Sequence, residues 1–311
     1  MDRFEAMRTL IAAVDEGSLS AASRALNVPL PTVSRRVSDL EAQLGVHLLV
    51  RTSRRLFLTE AGAAYIASAR RVLDELAEAE RAASGEYRAP RGELLVTAPI
   101  MFGKLHVAPI VHEFLAAYPE VTVRLALADG VIDIIEARVD VAVRFGSLPD
   151  SALVAKRVGE VRWVIAASPD YLARCGTPVH PDAIGDYDCI AFEGLQRYRE
   201  WPFTIDSLTR NIIIRPRFSV NTADAVIAGA TAGLGLCRVM SYQAADAVRD
   251  KSLKPVLTAW APSAIPVHLV HAQHPLQPLK LRAFLDFVAP RLQKRLRSIS
   301  IDLGITETEL R

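Results

Sequence analysis

Arginines concentrate near the start of this 311-residue chain, in a pattern suited to binding phosphate groups. Residues 17–58 include six basic and two acidic side chains, so this stretch carries a net charge of +4, while the whole chain carries only +2. All six are arginines, whose guanidinium fork pairs with phosphate oxygens and with guanine edges. Small hydroxyl residues, Thr32 and Ser34, stand beside two of them and allow a close approach to a groove. The six are Arg24, Arg35, Arg36, Arg51, Arg54 and Arg55.

Patterns typical of catalysis or metal binding are weak in the sequence. No G-x-S-x-G, H-E-x-x-H or P-loop motif occurs. His268, His271 and His274 recur every third residue, but on the strand predicted there this spacing alternates between faces. An acidic group without a partner base comprises Asp129, Asp133 and Glu136. We therefore expect no enzyme activity, no cofactor and no metal.

The cysteines and the N-terminus indicate the compartment. Cys175, Cys189 and Cys237 lie far apart, and no C-x-x-C pair occurs, so neither a disulfide framework nor a zinc site is predicted. A redox-sensing role would need an exposed thiol of low pKa. The N-terminal residues are polar and periodic, which is unlike a signal peptide, and no run reaches the ~18 apolar residues of a membrane span. We expect a cytoplasmic protein.

The elements that position the arginines follow from apolar spacing. Three short helices are predicted in the first 45 residues, with Ser18 capping the second and Pro31 in the first turn of the third. Gly45 ends the third helix. Two short apolar runs around an Arg/Thr/Ser tip then predict a small hairpin, or wing. The inward residues of the third helix are Val33, Val37, Leu40 and Leu44. Together these elements predict a winged helix-turn-helix.

A longer helix is predicted to begin at Thr59 and Glu60 and to run to about Ala83. Its apolar residues form one narrow seam, a pattern typical of a helix that pairs with a second helix. We expect this seam to form a dimer interface; the alternative is packing against its own domain. The seam residues are Ile66, Ala69, Leu73, Leu76 and Ala83.

Composition changes near residue 90. Glycine and proline residues within 85–92, which interrupt helices and strands, mark a domain boundary. After this boundary, strand-like runs alternate with helical ones. This alternation predicts an α/β domain with a mainly parallel sheet. One of the predicted helices is short and spans residues 131–137. The final residues, 298–311, are predicted to be a loosely attached tail.

Several segments share their residues and spacing with one bacterial family. They are residues 4–14, 17–28, 31–41, 44–49, 51–54, 58–62, 166–172, 201–203, 233–235 and 282–287. Together they resemble the LysR-type transcriptional regulators, and the resemblance covers nearly the whole chain. The combined spacing within the first sixty residues is the most specific part.

The resemblance implies a fold in three parts. These are an N-terminal winged helix-turn-helix, a long linker helix that dimerises, and a two-lobed α/β effector domain like a periplasmic binding protein. The expected ranges are 1–58 for the DNA-binding domain, 59–88 for the linker, and 92–297 for the effector domain, with lobe I at 92–161 and 266–297, lobe II at 162–265, and the tail at 298–311.

The resemblance also implies partners and contacts. Expected partners are double-stranded promoter DNA, a small-molecule effector such as an organic anion, copies of the chain in a homodimer or homotetramer, and RNA polymerase if the protein is an activator. Pro31, Ser34 and Arg35 match positions that contact DNA in the family, and Arg54 matches a wing contact. Leu30 stands where many relatives carry a polar residue. The expected DNA contacts are Ser20, Pro31, Thr32, Ser34, Arg35, Arg36, Arg51, Thr52 and Arg54.

The effector is expected in the cleft between the lobes. Two helix N-termini, after Pro99 and near Thr222, are predicted to point into it, and their free N–H groups suit an anion. Pro99 and Ile100 stand where many relatives carry Ser or Thr, which makes this mouth more apolar. Ordinary core or loop packing is the alternative for each residue. The expected effector contacts are Pro99, Ile100, Met101, Phe102, Phe145, Gly146, Phe192, Glu193, Asn221 and Thr222.

Three other functions account for the sequence less well. A two-lobed enzyme would need catalytic residues in the cleft. An exported solute-binding protein would need a signal peptide instead of a DNA-binding head. A DNA-binding protein without a ligand would leave about 200 residues without a role, since DNA binding needs only the small head.

Overall fold

The computed structural model describes residues 2–51, 56–83, 89–130, 134, 137, 139–148, 153–193, 199–273 and 277–303. Within it the chain divides into two compact units, Met1–Arg88 and Ala89–Arg311. The first unit contains helices α1 (Arg3–Asp15), α2 (Leu19–Leu26), α3 (Leu30–Leu44) and α4 (Glu60–Ala83), and a hairpin of β1 (Leu49–Arg51) and β2 (Leu56–Leu58).

Local sequence explains the helix ends of the first unit. The Ser18 hydroxyl accepts a 3.1 Å hydrogen bond from the Ala21 N–H, as an N-cap should. Asn27 ends α2 and Gly45 ends α3, and both adopt left-handed backbone angles. Pro31 lies in the first turn of α3. These features of the helix-turn-helix match the prediction.

The core of the first unit is built from side chains of α1, α3, the start of the hairpin and α4. Val33, Val37 and Leu40 are buried as predicted, but Leu44 is 37% exposed because it occupies the last helical turn, beyond the packed elements. Gly62 lies where a Cβ would overlap the Leu48 carbonyl, so only glycine lets α4 start against the hairpin. The core cluster comprises Ala6, Leu10, Val37, Leu40, Leu48, Leu49 and Ile66.

The second unit contains two five-stranded sheets, one in each lobe. Lobe I has strands β3 (Gly92–Ala98), β4 (Val121–Leu127), β5 (Val141–Phe145), β6 (Leu153–Val161) and β14 (Ile265–Ala272), in the order β4-β3-β5-β14-β6. Its helices are α5 (Ile100–Phe102), a π-helical turn (Gly103–Val107), α6 (Ala108–Ala117) and α10 (Leu279–Asp302).

Lobe II is inserted between β6 and β14. Its sheet order is β11-β8-β12-β7-β13, and a separate hairpin, β9-β10, covers one face. Its strands are β7 (Trp163–Ala167), β8 (Cys189–Phe192), β9 (Glu200–Ile205), β10 (Leu208–Ile213), β11 (Pro216–Val220), β12 (Leu236–Met240) and β13 (Lys254–Val256), and its helices are α7 (Pro169–Cys175), α8 (Ala223–Thr231) and α9 (Ser241–Arg249). Two crossovers, at Arg162 and near Pro262, join the lobes.

Both sheets are mixed, which corrects the expectation of a mainly parallel sheet. In lobe I, β3 pairs in parallel with β4 and β5, but β14 is antiparallel to β5 and β6. In lobe II, β8 pairs in parallel with β11 and β12, but β7 is antiparallel to β12 and β13. The antiparallel strands β7 and β14 each follow a crossover between the lobes.

Two further expectations change at the C-terminal side of the domain. Helix α10 continues to Asp302, and Ile299 is buried, because apolar spacing persists beyond residue 297. A loose tail therefore does not begin at residue 298. Residues 304–311, and most of the helix expected over residues 131–137, lie outside the described residues.

One helical run, Ile100–Ala117, is long and apolar enough to cross a membrane by length and composition alone. Phe102, Val107, Ile110 and Phe114 on this run are almost completely buried in the lobe I core. The run is therefore accounted for as a core helix of the domain.

Candidate functional site

The start of α3 carries exposed basic and polar side chains. Pro31 and Arg35 are exposed, and Thr32 and Ser34 are half-buried beside them. Val33 and Val37, which alternate with them around the helix, are completely buried, so the opposite face of α3 is fixed to the core. Ser20 is exposed on α2. In a helix-turn-helix, this end of the second helix is the part that enters the major groove.

Arg36 differs from Arg35 in having a partner within its own unit. Its guanidinium lies 3.1 Å from the Glu5 carboxylate and 3.4 Å from the Thr9 hydroxyl, both on α1. Position 36 falls three residues after Val33 and four before Leu40, so it flanks the buried face. This pair ties α3 to α1, and the DNA contact expected of Arg36 stays a prediction that must compete with it.

Glu41 is a positioning residue that the sequence did not reveal. Its carboxylate is almost buried and accepts hydrogen bonds from the Leu48 and Leu49 N–H groups, at 2.7 and 3.0 Å. It thereby fixes the first wing strand against α3. Thr59 acts similarly at the other strand, donating to the His47 carbonyl and capping the Gly62 N–H. In the sequence, Glu41 is simply one of the two acidic residues between residues 17 and 58.

The wing tip itself is only partly described. Arg51 pairs with Leu56 through the backbone, in the last described position of β1. Thr52 and Arg54, two expected wing contacts, lie outside the described residues, as does Arg55. The two strands that carry the tip match the predicted hairpin.

The apolar seam of α4 divides into two parts. Ile66 and Ala69 are buried within their own unit, and Arg70 pairs with Asp15 of α1, so this end of the seam packs against its own domain. Leu73 and Leu76, further along, are half-buried, and the neighbouring Val72 is 39% exposed. The Ala83 side chain lies outside the described part. The dimer interface predicted for α4 is therefore restricted to the second half of this helix.

An aromatic cluster joins the two lobes. Tyr242, at the start of α9 in lobe II, packs edge-on against Phe102 and Phe145 of lobe I, with ring centroids 5.1 and 5.8 Å apart. Phe102 is completely buried, and Met101 packs against the same core. Phe102, an expected effector contact, is therefore a core residue between the lobes, with no exposed surface in this structure.

His106 belongs to the same contact between the lobes. Its ring lies 5.1 Å from Phe102 and 5.8 Å from Tyr242. Burial lowers the pKa of His106 to about 4, and the positive charge of Arg295 adds to this effect. The imidazole is therefore neutral at physiological pH and acts as a packing group.

At the first helix N-terminus, the chain supplies its own carboxylate. The Ile100 N–H donates a 2.9 Å hydrogen bond to Asp129, while Pro99 is half-buried and Ile100 is 49% exposed. An acidic side chain near a helix N-terminus is favourable. Asp129 thus fills the position where an anionic effector was expected, so this end of α5 is less suited to an anion.

The second helix N-terminus is more open. Asn221 and Thr222 are exposed before α8, and Asp224 follows them. The pKa of Asp224 is lowered by hydrogen bonds from Thr222 and the Ala225 N–H, and further by the positive charge of Lys104. Lys104 is exposed on lobe I, and its charge acts on Asp224 of α8 in lobe II.

Four expected cleft residues lie at strand ends. Phe145 and Gly146 end β5, where the Gly146 N–H bonds to the Pro266 carbonyl. Phe192 and Glu193 end β8, and the Glu193 N–H bonds to the Val220 carbonyl of β11. Gly146, Phe192 and Glu193 thus lie at carboxyl ends of parallel strands, the edge where open α/β sheets bind ligands.

Metal and redox chemistry find little support in the described residues. No group of three ligating side chains with metal-site geometry occurs among them. His271 is buried with its Nδ1 2.8 Å from the Ala272 carbonyl, and His274 lies outside the described part. Burial raises the pKa of the Cys189 and Cys237 thiols to about 12, which keeps them protonated. Cys175 alone is exposed.

Comparison with known proteins accounts for both units. The model of the LysR substrate binding domain matches residues 88–293, and that of the bacterial regulatory helix-turn-helix protein, lysR family, matches residues 4–63. An HTH-type transcriptional regulator of Xanthomonas campestris is 36% identical over 283 residues, which cover 90% of this chain and 82% of the relative.

The solved structures of two regulators are also similar. CrgA of Neisseria meningitidis, a LysR-type transcriptional regulator, aligns with a TM-score of 0.60 and 31% identity, covering 93% of this chain and 98% of CrgA. The Vibrio cholerae virulence activator AphB aligns with a TM-score of 0.58 and 27% identity, covering 92% and 98%. The fold, both family matches and these similarities agree: this chain belongs to the LysR-type transcriptional regulators, with a helix-turn-helix DNA-binding unit and an effector-binding domain.

Proposed function

We propose that this regulator reads its promoter through the exposed start of α3 and responds to a small molecule held between its lobes. The observation that carries the first part is the position of Arg35, exposed next to a helix face that is fully buried. Among the described residues, Arg35 makes neither a hydrogen bond nor an ion pair, unlike Arg36. An unengaged arginine on a recognition helix suits a guanine edge or a phosphate.

The proposed DNA contacts are therefore Ser20, Pro31, Thr32, Ser34 and Arg35 from the helices, with Arg51, Thr52 and Arg54 from the wing. The phosphate contacts position the head, and any base contact from α3 specifies the sequence. The domain ranges stand as proposed from the sequence, except that α10 carries the effector domain to Asp302. The protein performs no chemistry on its effector.

The effector is proposed to be an organic anion held towards lobe II. Lys104 and the exposed N-terminus of α8 supply positive potential there, partly offset by the Asp224 carboxylate, while Asp129 caps α5 directly at the Ile100 N–H. Binding would favour one arrangement of the lobes over another and so shift the population of DNA-binding states. The proposed cleft contacts are Ile100, Gly146, Phe192, Glu193, Asn221 and Thr222.

The assembly and location follow from the family and are proposals for this chain. The second half of α4 forms the dimer seam, and dimers pair into a homotetramer that acts on DNA in the cytoplasm. If the protein activates transcription, RNA polymerase is a further partner.

Footprinting of genomic fragments with the purified protein tests this function. We expect a protected, two-fold-symmetric site whose affinity falls steeply with salt, because phosphate contacts release counterions. Weak binding that is indifferent to sequence, with and without extracts of small metabolites, would contradict the proposal.

A further inference from the structure

A cavity of about 290 Å³ lies inside lobe II, and none of the proposed cleft residues lines it. Its floor is the sheet face of β7, β12 and β13 that points away from α8 and α9. Its roof comes from β9 and the segment after β13. The lining is largely apolar, with Ile165, Phe203, Leu257 and Pro262 among its residues. This size is close to the lower end for small-molecule pockets.

One charged side chain interrupts the apolar floor. Arg238 lies in the middle of β12 and is only 8% exposed. Its guanidinium stacks over the Trp163 ring, 3.9 Å from the centroid. Within the described part of the chain, it forms no hydrogen bond and no ion pair. Arginines are almost never buried without a partner, because an unpaired charge loses its hydration.

The stacking on Trp163 offsets part of that loss but supplies no negative charge. Burial lowers the pKa of Arg238 to about 10, so the side chain stays protonated at neutral pH. The cavity beside it is the place from which a counter-charge can come. The site therefore consists of a buried cation, a flat aromatic face and an adjoining cavity. It lacks a negatively charged partner for Arg238.

The second arginine of the cavity already has a partner in the fold. Arg162 pairs with Glu160 at 3.2 Å, a carboxylate that it shares with Arg157, whereas Arg238 has no partner among the described residues. One carboxylate matches the charge of Arg238. Thr258 adds a hydroxyl residue to the lining. The remaining surface suits an apolar body.

We propose that this cavity binds a small organic monoanion, with its carboxylate on Arg238 and its apolar body against Trp163 and Phe203. The site is distinct from the cleft between the lobes. Arg238 supplies the charged and bidentate part of recognition, which a lysine would not reproduce. Trp163 and Phe203 select flat or short apolar groups.

The position of the cavity connects it to the hinge. Its lining includes Arg162 and Trp163 of one crossover and Ala261 and Pro262 of the other, together with Leu303 beyond α10. A molecule bound here contacts both segments that join the lobes. A change in lobe arrangement is therefore coupled to occupancy; an effect on DNA rests on the function proposed above, whereas binding itself does not.

Thermal unfolding of the full chain with phenylacetate, and with its neutral isostere phenylacetamide, tests the site. We expect phenylacetate to raise the Tm saturably, because a ligand that binds only the folded state stabilises it, and phenylacetamide to have little effect. Arg238→Met should weaken phenylacetate by at least about tenfold, since it removes a charge-assisted pair. Lys104→Gln, the matched change in the cleft, should leave the response unchanged.

The Tm of Arg238→Met without ligand shows whether this variant folds normally. Arg238→Met keeps the volume and removes an unpaired buried charge, so its Tm without ligand should equal or exceed that of the wild type. Tryptophan fluorescence should change on titration with phenylacetate, and Trp163→Phe should abolish the change.

Three outcomes would overturn the site. They are the absence of any Tm shift with millimolar phenylacetate or hexanoate, a shift that persists in Arg238→Met, and a shift lost in Lys104→Gln instead. If phenylacetate binds through Arg238 but footprinting finds no specific DNA site, the cavity stands and the proposed regulatory function fails.

Discussion

The Glu41 carboxylate accepts a 2.7 Å hydrogen bond from the Leu48 N–H, and this bond joins the recognition helix to the wing. The same oxygen accepts a second bond from Leu49. Both amides belong to buried residues, so water has little access to them. The spacing between α3 and the hairpin is therefore set by a side chain that never contacts DNA in our proposal.

We expect Glu41→Ala to destabilise the first unit by about 2 to 4 kcal/mol, because it leaves two buried N–H groups without partners. Denaturant unfolding followed by circular dichroism measures this. Glu16→Ala, an exposed acid at the end of α1, serves as the control and should change stability little. Equal stability of the two variants would show that the bonds to Glu41 are replaced by water.

Arg35→Ala should weaken operator binding by about 1 to 3 kcal/mol without changing the Tm, since its side chain is exposed and outside the core. Arg36→Ala should instead act on folding, by no more than about 1 kcal/mol, because its pair with Glu5 is partly exposed. Gel-shift titration and thermal unfolding separate the two effects. Unchanged operator affinity in Arg35→Ala would remove it from the contact set.

Leu73→Glu should dissociate dimers, since it places a charge in the part of the α4 seam that its own domain does not cover. Sedimentation velocity gives the oligomeric state. Ala67→Glu introduces the same charge at an exposed position of the same helix and should sediment like the wild type. Identical sedimentation of both variants would exclude this half of α4 as the interface.

Acid should destabilise the interlobe contact through His106. Its folded pKa is about 4, below the ordinary value of 6.5, so the unfolded chain binds the proton more readily. The stabilising effect of a neutral His106 is complete above pH 6.5 and is lost as the pH falls towards 4, by about 3 kcal/mol at most. We expect His106→Leu to flatten stability over this range, whereas the exposed His112→Gln should retain the wild-type slope.

Local patterns predicted the first unit well, because its structure depends on nearby residues. Ser18, Pro31 and Gly45 act where helix-end chemistry places them. Arg35 and Arg36 looked equivalent, because sequence alone does not reveal that Glu5 and Thr9 lie beside one of them. The same limit concealed Glu41, whose partners are seven and eight residues away in a different element.

The features of the second unit that the sequence did not predict depend on contacts between residues far apart in the chain. The orientation of β14 depends on partners more than 100 residues earlier, so strand–helix alternation suggested a more parallel sheet than exists. The sequence predicts the helix N-terminus after Pro99, but not its capping by Asp129, which lies 29 residues later in a separate loop. Arg238 occurs alone in an apolar strand, and only the fold shows that it stacks on Trp163 beside a cavity.

The place of β14 within its sheet affects the order in which the chain is made. This strand lies between β5 and β6, yet it follows the whole of lobe II in the sequence. During translation, all strands of lobe II leave the ribosome before lobe I can close its sheet. The lobe that starts first therefore finishes last, and until then β5 and β6 expose unpaired edges that a nascent chain must keep from pairing with its neighbours.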